Sequence, residues 1–156
     1  MQIIDLIKQN LRLLLGAIVV IFVAIFILTF ALSRQGTRVL VNGEVFNVTI
    51  AKSDQEKQIG LSKTQKISEN QGMLFVFDTP SYYSFWMKDM KFPIDIIYIN
   101  GDEVVTVIDN ARPPTEGQNL EIYQPEDKAD KVLEVNAGIS KKYNIKKGTT
   151  VKIENL

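Results

Sequence analysis

The chain has 156 residues, with 18 basic and 18 acidic side chains and a formal net charge of zero. It contains no cysteine and no histidine, which excludes disulfides, thiolate and imidazole metal sites, and catalysis by Ser-His or Cys-His devices. The sequence also lacks the Asp-rich loop of calcium sites, the glycine-rich loop of phosphate sites and any basic stripe. We therefore expect no metal, no cofactor and no nucleic-acid partner.

The first predicted element is a helix that crosses a membrane. Residues Leu13–Leu32 form an uncharged run of 20 residues between Arg12 and Arg34. At about 1.5 Å per residue, a helix of this length matches a hydrocarbon core of roughly 30 Å. A cleaved signal peptide is the alternative, although the apolar region of a signal peptide normally has about 7–15 residues.

The position of this helix divides the chain. Lys8 and Arg12 in the short first segment favour a signal anchor whose tail stays in the cytoplasm. We therefore predict a single-pass membrane protein with an extracytoplasmic C-terminal domain, and the lipid bilayer is its partner through Leu13–Leu32. The predicted parts are a cytoplasmic tail (1–12), a transmembrane anchor (13–32), a linker (33–38) and a soluble β domain (39–156).

The soluble part consists of short apolar or alternating runs that are typical of strands. Asn-Gly pairs at 42–43 and 100–101, each between β-prone runs, predict two hairpins. The predicted strands are 38–41, 44–51, 73–77, 82–88, 94–99, 103–108, 131–135 and 149–153.

Two short helices are predicted between the strands. Ser53 and Glu56 have the spacing of a capping box, so a helix should begin there and end at Gly60. Asn136 is predicted to cap the second helix. The two hairpins make the sheet largely antiparallel, so we predict a mainly β domain, a small antiparallel barrel or sandwich with two short helices.

Several stretches of the domain resemble a known family. These are IGLSKT (59–64), GMLFVF (72–77), SFWMKDMKFPIDIIYI (84–99) and VLEVNAG…YNIKKGTTV (132–151). They are similar to the domain of unknown function 192 family, whose hallmark is Phe-Trp-Met-Lys-Asn-Thr, two variable residues, then Pro-Leu-Asp-Ile. Asp89 and Met90 stand here in place of Asn-Thr, and Ile94 in place of Leu. The resemblance implies a mainly β, sandwich-like domain behind a signal or anchor segment, without an assigned activity.

The stretch SFWMKDM carries the single tryptophan of the chain among charged residues. If this stretch is a strand, Trp86 and Lys88 share one face, because side chains alternate along a strand. In the next predicted strand, Asp95 falls in the same row as Ile97 and Ile99. A buried and unpaired carboxylate is strongly destabilising, so Asp95 must be paired or lie near the rim of the domain.

Two interpretations of this stretch follow. In the structural one, Asp95 accepts hydrogen bonds from backbone amides or pairs with Lys88. In the functional one, Trp86 is a stacking platform for a sugar ring or a peptide, and Lys88 and Asp95 anchor polar groups beside it. The candidate ligand-binding residues are Tyr82, Trp86, Lys88, Asp89 and Asp95.

Two functions from different classes remain open. The first is a membrane-anchored binding or interaction module whose partner is a small ligand, a glycan or a protein. The second is a hydrolase of envelope polymers that uses Asp89 and Asp95 as an acid–base pair. A concave pocket that raises the pKa of both carboxyls would favour the hydrolase. A shallow aromatic patch, with Asp95 bound by backbone amides, would favour the binding module.

Overall fold

The structure, a computed structural model, describes residues 2–32 and 36–156, with side chains over residues 14–29 and 36–156. The chain divides into two units, residues 1–35 and residues 36–156. Residues 33–35 of the predicted linker lie outside the described residues.

The first unit contains one helix, α1 (Gln2–Leu32). Its described side chains, over residues 14–29, are uncharged and exposed. Thr29 Oγ1 donates to the carbonyl of Phe26 at 3.0 Å, so the one hydroxyl of this segment is bonded within the helix. Over the residues that the structure describes, no helix is long and apolar enough to cross a membrane.

The second unit is mainly β. Seven of its nine described strands form one curled sheet in the order β6-β5-β8-β3-β2-β1-β9, and β4 and β7 form a separate two-stranded ribbon. The strands are β1 (Arg38–Val41), β2 (Glu44–Ala51), β3 (Gln71–Ser81), β4 (Phe85–Trp86), β5 (Ile94–Asn100), β6 (Glu103–Ala111), β7 (Ile122–Tyr123), β8 (Ala129–Asn136) and β9 (Val151–Glu154).

The sheet is curled, and its two edge strands approach each other at their first residues. Val104 N donates to Thr149 O at 2.9 Å and Val151 N donates to Asp102 O at 2.8 Å, which joins the edge strands β6 and β9. All neighbours in the sheet are antiparallel except β2 and β3, which are parallel. A parallel pair needs a crossover, and the segment that contains helix α2 provides it. The prediction of a mainly β domain is confirmed, and its form is a half-barrel.

Helix α2 (Asp54–Ile59) is capped as the sequence predicts. Ser53 Oγ accepts from the amide of Glu56, and Glu56 Oε2 accepts from the amide of Ser53 at 2.9 Å. Gly60 ends the helix with φ +50°, a conformation that favours glycine. The capping box therefore sets the start of α2 by local hydrogen bonds alone.

The predicted start of the second helix is wrong. Helix α3 (Ile139–Lys142) begins after Gly138, which has φ +89°. Asn136 is instead the last residue of β8, and its Nδ2 donates to the carbonyls of Ile67 and Ser68. Strand pairing with Ile94, the first residue of β5, extends β8 to Asn136, so the Asn136 side chain bonds to a loop instead of capping a helix.

The strand predicted at 82–88 is also shorter than expected. Only Phe85 and Trp86 are in a strand, β4, and their partners are Tyr123 and Ile122 in β7. The strand cannot continue past Met87, because the chain turns there: Met90 N donates to Met87 O at 3.3 Å. Strand β7 was not predicted from the sequence.

Apolar side chains cover both faces of the sheet, and each fully buried one contributes about 1.5–3 kcal/mol. The first cluster is Val39, Val41, Phe46, Leu74, Ile97, Ile99, Val104, Leu133, Val135, Ile139, Ile145 and Val151. The second cluster is Ala51, Leu61, Phe75, Met87, Ile94, Ile96, Tyr98, Ala111, Ala129 and Val132. The alternation of β5 is as predicted: Ile97 and Ile99 belong to the first cluster, and Ile96 and Tyr98 to the second.

Candidate functional site

A cavity of about 220 Å³ lies on the side of the sheet that carries the second cluster. Four separate parts of the chain line it: α2 with the turn that follows, β3, the segment around β4, and β8. The lining residues are Lys57, Gln58, Ile59, Gly60, Leu61, Ser62, Phe75, Phe77, Tyr83, Ser84, Phe85, Trp86, Lys88, Met90 and Glu134. We call this space the Trp86 cavity.

Packed aromatic rings form much of the lining. The ring of Phe85 meets that of Phe75 edge-to-face, with centroids 4.9 Å apart. Phe77 stacks on Tyr83 at 3.6 Å, and the Tyr83 hydroxyl donates to Thr79 O at 2.6 Å. Because edge-to-face and stacked contacts fix the ring orientations, the aromatic lining of the cavity is preorganised.

Trp86 is held at the cavity by the β4–β7 ribbon. Its backbone pairs with Ile122, and the hydroxyl of the preceding Ser84 accepts a hydrogen bond from Gln124 Nε2 at 2.8 Å. The Trp86 side chain is 47% exposed, so part of its ring faces solvent and part lines the cavity.

Two lysines add positive charge to the lining. Lys57 Nζ lies 4.6 Å from the ring centroid of Phe77, and Lys88 is exposed. Neither lysine forms a salt bridge with another residue that the structure describes. Both charges are therefore available to an anionic group of a ligand.

Glu134 provides the one carboxyl among the described lining residues. It lies on β8 between Met73 of β3 and Ile96 of β5, and its side chain is only 5% exposed. Its Oε2 has no hydrogen-bond partner among the described residues. Burial raises the pKa of Glu134 to about 8, because the apolar surroundings disfavour the charged form.

Gly72 permits the close strand pairing beside Glu134. A Cβ at this position would lie 2.5 Å from the backbone carbonyl oxygen of Glu134, well inside van der Waals contact. A glycine is therefore required where β3 crosses this part of β8. It holds the strand that carries Glu134 against the strand that carries Phe75 and Phe77.

The structure brings together two of the five predicted site residues. Trp86 and Lys88 both line the cavity, whereas Tyr82, Asp89 and Asp95 do not. Tyr82 is 52% exposed, and Asp89 is exposed in the turn after β4 with φ +61°. Ligand binding by these five residues stays a prediction.

Asp95 is fully buried on the opposite face, toward the first cluster. Its Oδ1 accepts from the amides of Asn110 at 2.8 Å and Gly138 at 3.1 Å. Its Oδ2 accepts from the amide of Ser140 at 2.8 Å and from the Ser140 hydroxyl at 2.6 Å. The predicted acceptance of backbone amides is confirmed. These donors occupy both carboxylate oxygens of Asp95, and the residue is fully buried, so the alternative pairing with Lys88 is wrong.

Ser140 links Asp95 to a second carboxylate. Its Oγ also lies 2.5 Å from Asp109 Oδ1, and its single hydrogen can serve only one of the two carboxylates at a time. Asp109 is partly exposed and lies 3.8 Å from Lys141 Nζ. Within the described part of the chain, no group of three or more acidic side chains is placed to hold a metal ion.

Sequence reasoning missed Glu134, although the signal was present. Glu134 interrupts the apolar run Val132–Val135, just as Asp95 interrupts the run of β5. Only Asp89 and Asp95, the acids beside the tryptophan motif, were predicted as site residues. The contribution of α2 was also missed, because contact between Lys57 and Phe77 requires the crossover between β2 and β3.

The fold and the cavity define a class: a mainly β half-barrel domain with one aromatic-lined cavity that contains a buried carboxyl. A family model, domain of unknown function 192, described as an uncharacterized ACR, matches residues 37–153. The chain belongs to this family. No curated protein matches the chain.

Two solved structures are similar to the domain. One is a protein of unknown function from Novosphingobium aromaticivorans DSM 12444, with 28% identity and a TM-score of 0.68; the match covers 74% of this chain and 83% of that one. The other, from Sinorhizobium meliloti 1021, is described as a proposed transcription regulator. It has 25% identity and a TM-score of 0.68, and the match covers 77% of this chain and 93% of that one.

The four stretches that carry the family resemblance meet at the Trp86 cavity. The first contributes Ile59–Ser62, the second Phe75 and Phe77, the third Ser84–Trp86, and the fourth Glu134. The first three stretches follow one another closely, but the fourth begins only at residue 132, so its arrival at the same cavity is a property of the fold.

Proposed function

We propose that the chain is a membrane-anchored, extracytoplasmic binding module that holds a small ligand in the Trp86 cavity. The observation that carries the proposal is the unpartnered Oε2 of Glu134 inside an aromatic lining. Ligand sites are typically apolar concavities with a few convergent polar groups. A buried acceptor without a partner costs about 1–3 kcal/mol, and a ligand that donates a hydrogen bond offsets this cost.

A hydrolase that uses two carboxylates is less well supported. Glycoside hydrolysis requires two carboxyls on either side of the scissile bond. Glu134 is the only carboxyl among the described lining residues, and Asp89 and Asp95 lie outside the cavity. The raised pKa of Glu134 would suit a general acid, but the second carboxyl has no candidate at this site. Binding is therefore the function that this geometry supports best.

The anchor in this proposal is Leu13–Leu32. Its support is the uncharged run of 20 residues, the helical backbone of α1, and the exposure of every side chain described over residues 14–29. The proposed span extends beyond the residues whose side chains are described. Exposed apolar side chains on a single long helix are stabilised by lipid and not by water.

Nucleic acid is not among the proposed partners. Beyond residue 32 there are 16 basic and 17 acidic side chains, because Lys8, Arg12 and Asp5 precede that point. A net charge of −1 with mixed signs lacks the basic footprint of nucleic-acid binding. Transcription regulation is proposed for the Sinorhizobium meliloti protein and is not extended to this chain.

Binding is tested with the full-length chain in detergent micelles and a set of small-molecule fragments. Trp86 is the only tryptophan, so its indole N–H gives a single NMR signal that reports entry into the cavity. Fragments that shift this signal should also show saturation transfer from the protein. The transfer should be lost in Trp86→Ala and retained in Tyr82→Ala.

Tyr82 is a matched control, because it has a similar exposure to Trp86, 52% against 47%, and does not line the cavity. Fragments that bind both variants equally would place binding elsewhere. A set in which no fragment shifts the indole signal would refute the binding module.

The anchor and its orientation need a separate test. The full-length chain should stay in the membrane fraction through a carbonate wash, and protease added outside the cytoplasmic membrane should digest the C-terminal domain. Recovery of a soluble chain that begins after Ser33 would show a cleaved signal peptide instead. Full protection from external protease would reverse the orientation.

A further inference from the structure

The buried end of the Trp86 cavity is built to accept a hydrogen-bond donor. Glu134 has a free Oε2. The cavity around it is lined by aromatic and aliphatic side chains, by the two lysines and by Gln58, Ser62 and Ser84, and none of these described groups donates to Oε2. Neither lysine donates to Glu134 Oε2, which has no partner among the described residues. A ligand that brings a donor would fill this position.

The aromatic lining favours a donor that is positively charged. The faces of aromatic rings attract cations through the ring quadrupole, and Trp gives the strongest attraction. Phe75, Phe77, Phe85 and Trp86 all line the space that contains Glu134. An ammonium group is therefore attracted by the carboxyl and by the rings together.

The lysines argue against a ligand with positive charge alone. Lys57 and Lys88 lie in the same lining, without salt-bridge partners among the described residues. They repel a simple cation that approaches the cavity and attract an anionic group. A ligand that carries both charges, at opposite ends of an apolar chain, satisfies both parts of the lining.

We infer that the ligand of the Trp86 cavity is a small zwitterion whose ammonium group binds Glu134 and whose anionic group lies beside Lys57 and Lys88. This inference rests on the proposed function. An apolar chain joins the two ends and packs against the rings of the lining.

Binding of such a ligand has a proton signature. With its pKa near 8, Glu134 is mostly protonated in the empty cavity at pH 6–7, and an ammonium group favours its ionised form. Binding should therefore release close to one proton. Lys57 and Lys88 lie in the same lining, and Tyr98 is also near Glu134. Burial raises the pKa of Tyr98, so its hydroxyl stays neutral in this pH range.

The test uses three probes with the same six-carbon chain: 6-aminohexanoate, hexylamine and hexanoate. Calorimetry on the full-length chain in micelles, in buffers of different ionisation enthalpy, gives both affinity and protons released. We expect 6-aminohexanoate to bind most tightly, with proton release. Glu134→Gln should weaken it about tenfold or more, because a charge-assisted hydrogen bond is lost. The double variant with Lys57→Gln and Lys88→Gln should bind 6-aminohexanoate more weakly, and its affinity for hexylamine should be unchanged or higher.

Two results would overturn the inference, and they separate it from the proposed function. The zwitterion would be refuted if hexanoate bound as tightly as 6-aminohexanoate and bound the natural chain and Glu134→Gln equally well. If that binding were lost in Trp86→Ala, the proposed binding module would still stand. Absence of binding by all three probes would refute the inference, and the fragment experiment would then decide on the module. Hexylamine binding as tightly as 6-aminohexanoate would refute the role of the lysines.

Discussion

Asp95 and Glu134 are two buried acids on neighbouring strands, and they have opposite environments. In the β5–β8 pair, Asp95 is opposite Val135 and Ile96 is opposite Glu134, so the two acids lie one register step apart on opposite faces. Asp95 accepts four hydrogen bonds from Asn110, Gly138 and Ser140. Glu134 has an oxygen with no partner among the described residues.

Burial of a carboxyl does not by itself mark a ligand site. Both acids interrupt an apolar run, and both are at least 95% buried. The two acids differ in the hydrogen-bond donors around them. The Gly138–Ser140 turn presents backbone amides to Asp95, whereas Glu134 lies in a cavity lined largely by aromatic and aliphatic side chains. A buried carboxyl whose hydrogen bonds are all satisfied stabilises the fold. A buried carboxyl with an unpartnered oxygen beside a cavity is available to a ligand.

The largest effect should come from Asp95→Asn. The asparagine would turn its amide donors toward the buried amide of Ser140, which also donates. Loss of a charge-assisted bond costs about 1.5–3 kcal/mol and an unsatisfied buried amide about 1–3 more, so we expect a loss of about 3–5 kcal/mol. The midpoint of thermal unfolding of the full-length chain, followed by Trp86 fluorescence, should fall by about 10 °C or more.

Ser140→Ala is the graded control for this variant, because it removes only the hydroxyl donor at 2.6 Å from Asp95 and keeps the amide. Its effect should be smaller, about 1–2 kcal/mol. An unchanged midpoint for Asp95→Asn would contradict the structural role of Asp95.

Glu134→Gln should raise the free energy of unfolding instead of lowering it, by an amount that depends on pH. The pKa of Glu134 is raised to about 8 in the folded state, from 4.5 when unfolded. Between these values the folded state keeps a proton that the unfolded state has released, so stability falls as pH rises. The contribution of Glu134 is fully present below about pH 4.5 and is lost by about pH 8. Glutamine does not titrate and removes this loss.

The stability of Glu134→Gln relative to the natural chain should therefore increase with pH, by at most about 1.4 kcal/mol per unit. Denaturant unfolding between about pH 5 and pH 8 measures this difference. Exposed acids with a lowered pKa, such as Glu56 and Glu154, add stability as pH rises. They do so equally in the variant and in the natural chain, so their contribution cancels in the difference. A constant difference across this range would mean that Glu134 is ionised and solvated, against its assignment to the cavity.

Gly72→Ala should disturb the strand contact beside Glu134. A Cβ there would lie 2.5 Å from the Glu134 carbonyl oxygen, so the backbone of β3 or β8 must move. We expect a loss of about 1–3 kcal/mol, as in other overpacked cores. Gly101→Ala is a control for glycine replacement in an open position, although its φ of +62° adds turn strain. Equal midpoints for Gly72→Ala and the natural chain would show that the two strands can separate freely.

Local signals predicted the parts of the fold that depend on near neighbours. The Asn42-Gly43 hairpin and the Ser53–Glu56 capping box are closed by bonds within a few residues, and both formed as predicted. Each of these predictions used only residues adjacent in sequence.

The rest depended on distant segments. The amides that saturate Asp95 come from Asn110 and from residues 138–140, and no local pattern brings them together. Strand β7 has two residues, too few for a periodicity, and it exists because it pairs with β4. The cavity needs α2, β3, β4 and β8 at once, so its position could not be read from any single stretch.

The smallest effect concerns Asp89, the other acid of the motif region besides Asp95, which is neither buried nor in the cavity. Its φ of +61° lies in the left-handed region, where Asn, Asp and Gly are favoured because other residues meet steric strain. Asp89→Ala should therefore cost about 1 kcal/mol, or about 3–5 °C in the unfolding midpoint. Asp89→Asn, the residue that the family hallmark has here, should stay within about 0.5 kcal/mol. If Asp89→Asn were as damaging as Asp89→Ala, the carboxylate charge would matter, and Asp89 would join Glu134 as a candidate for ligand contact.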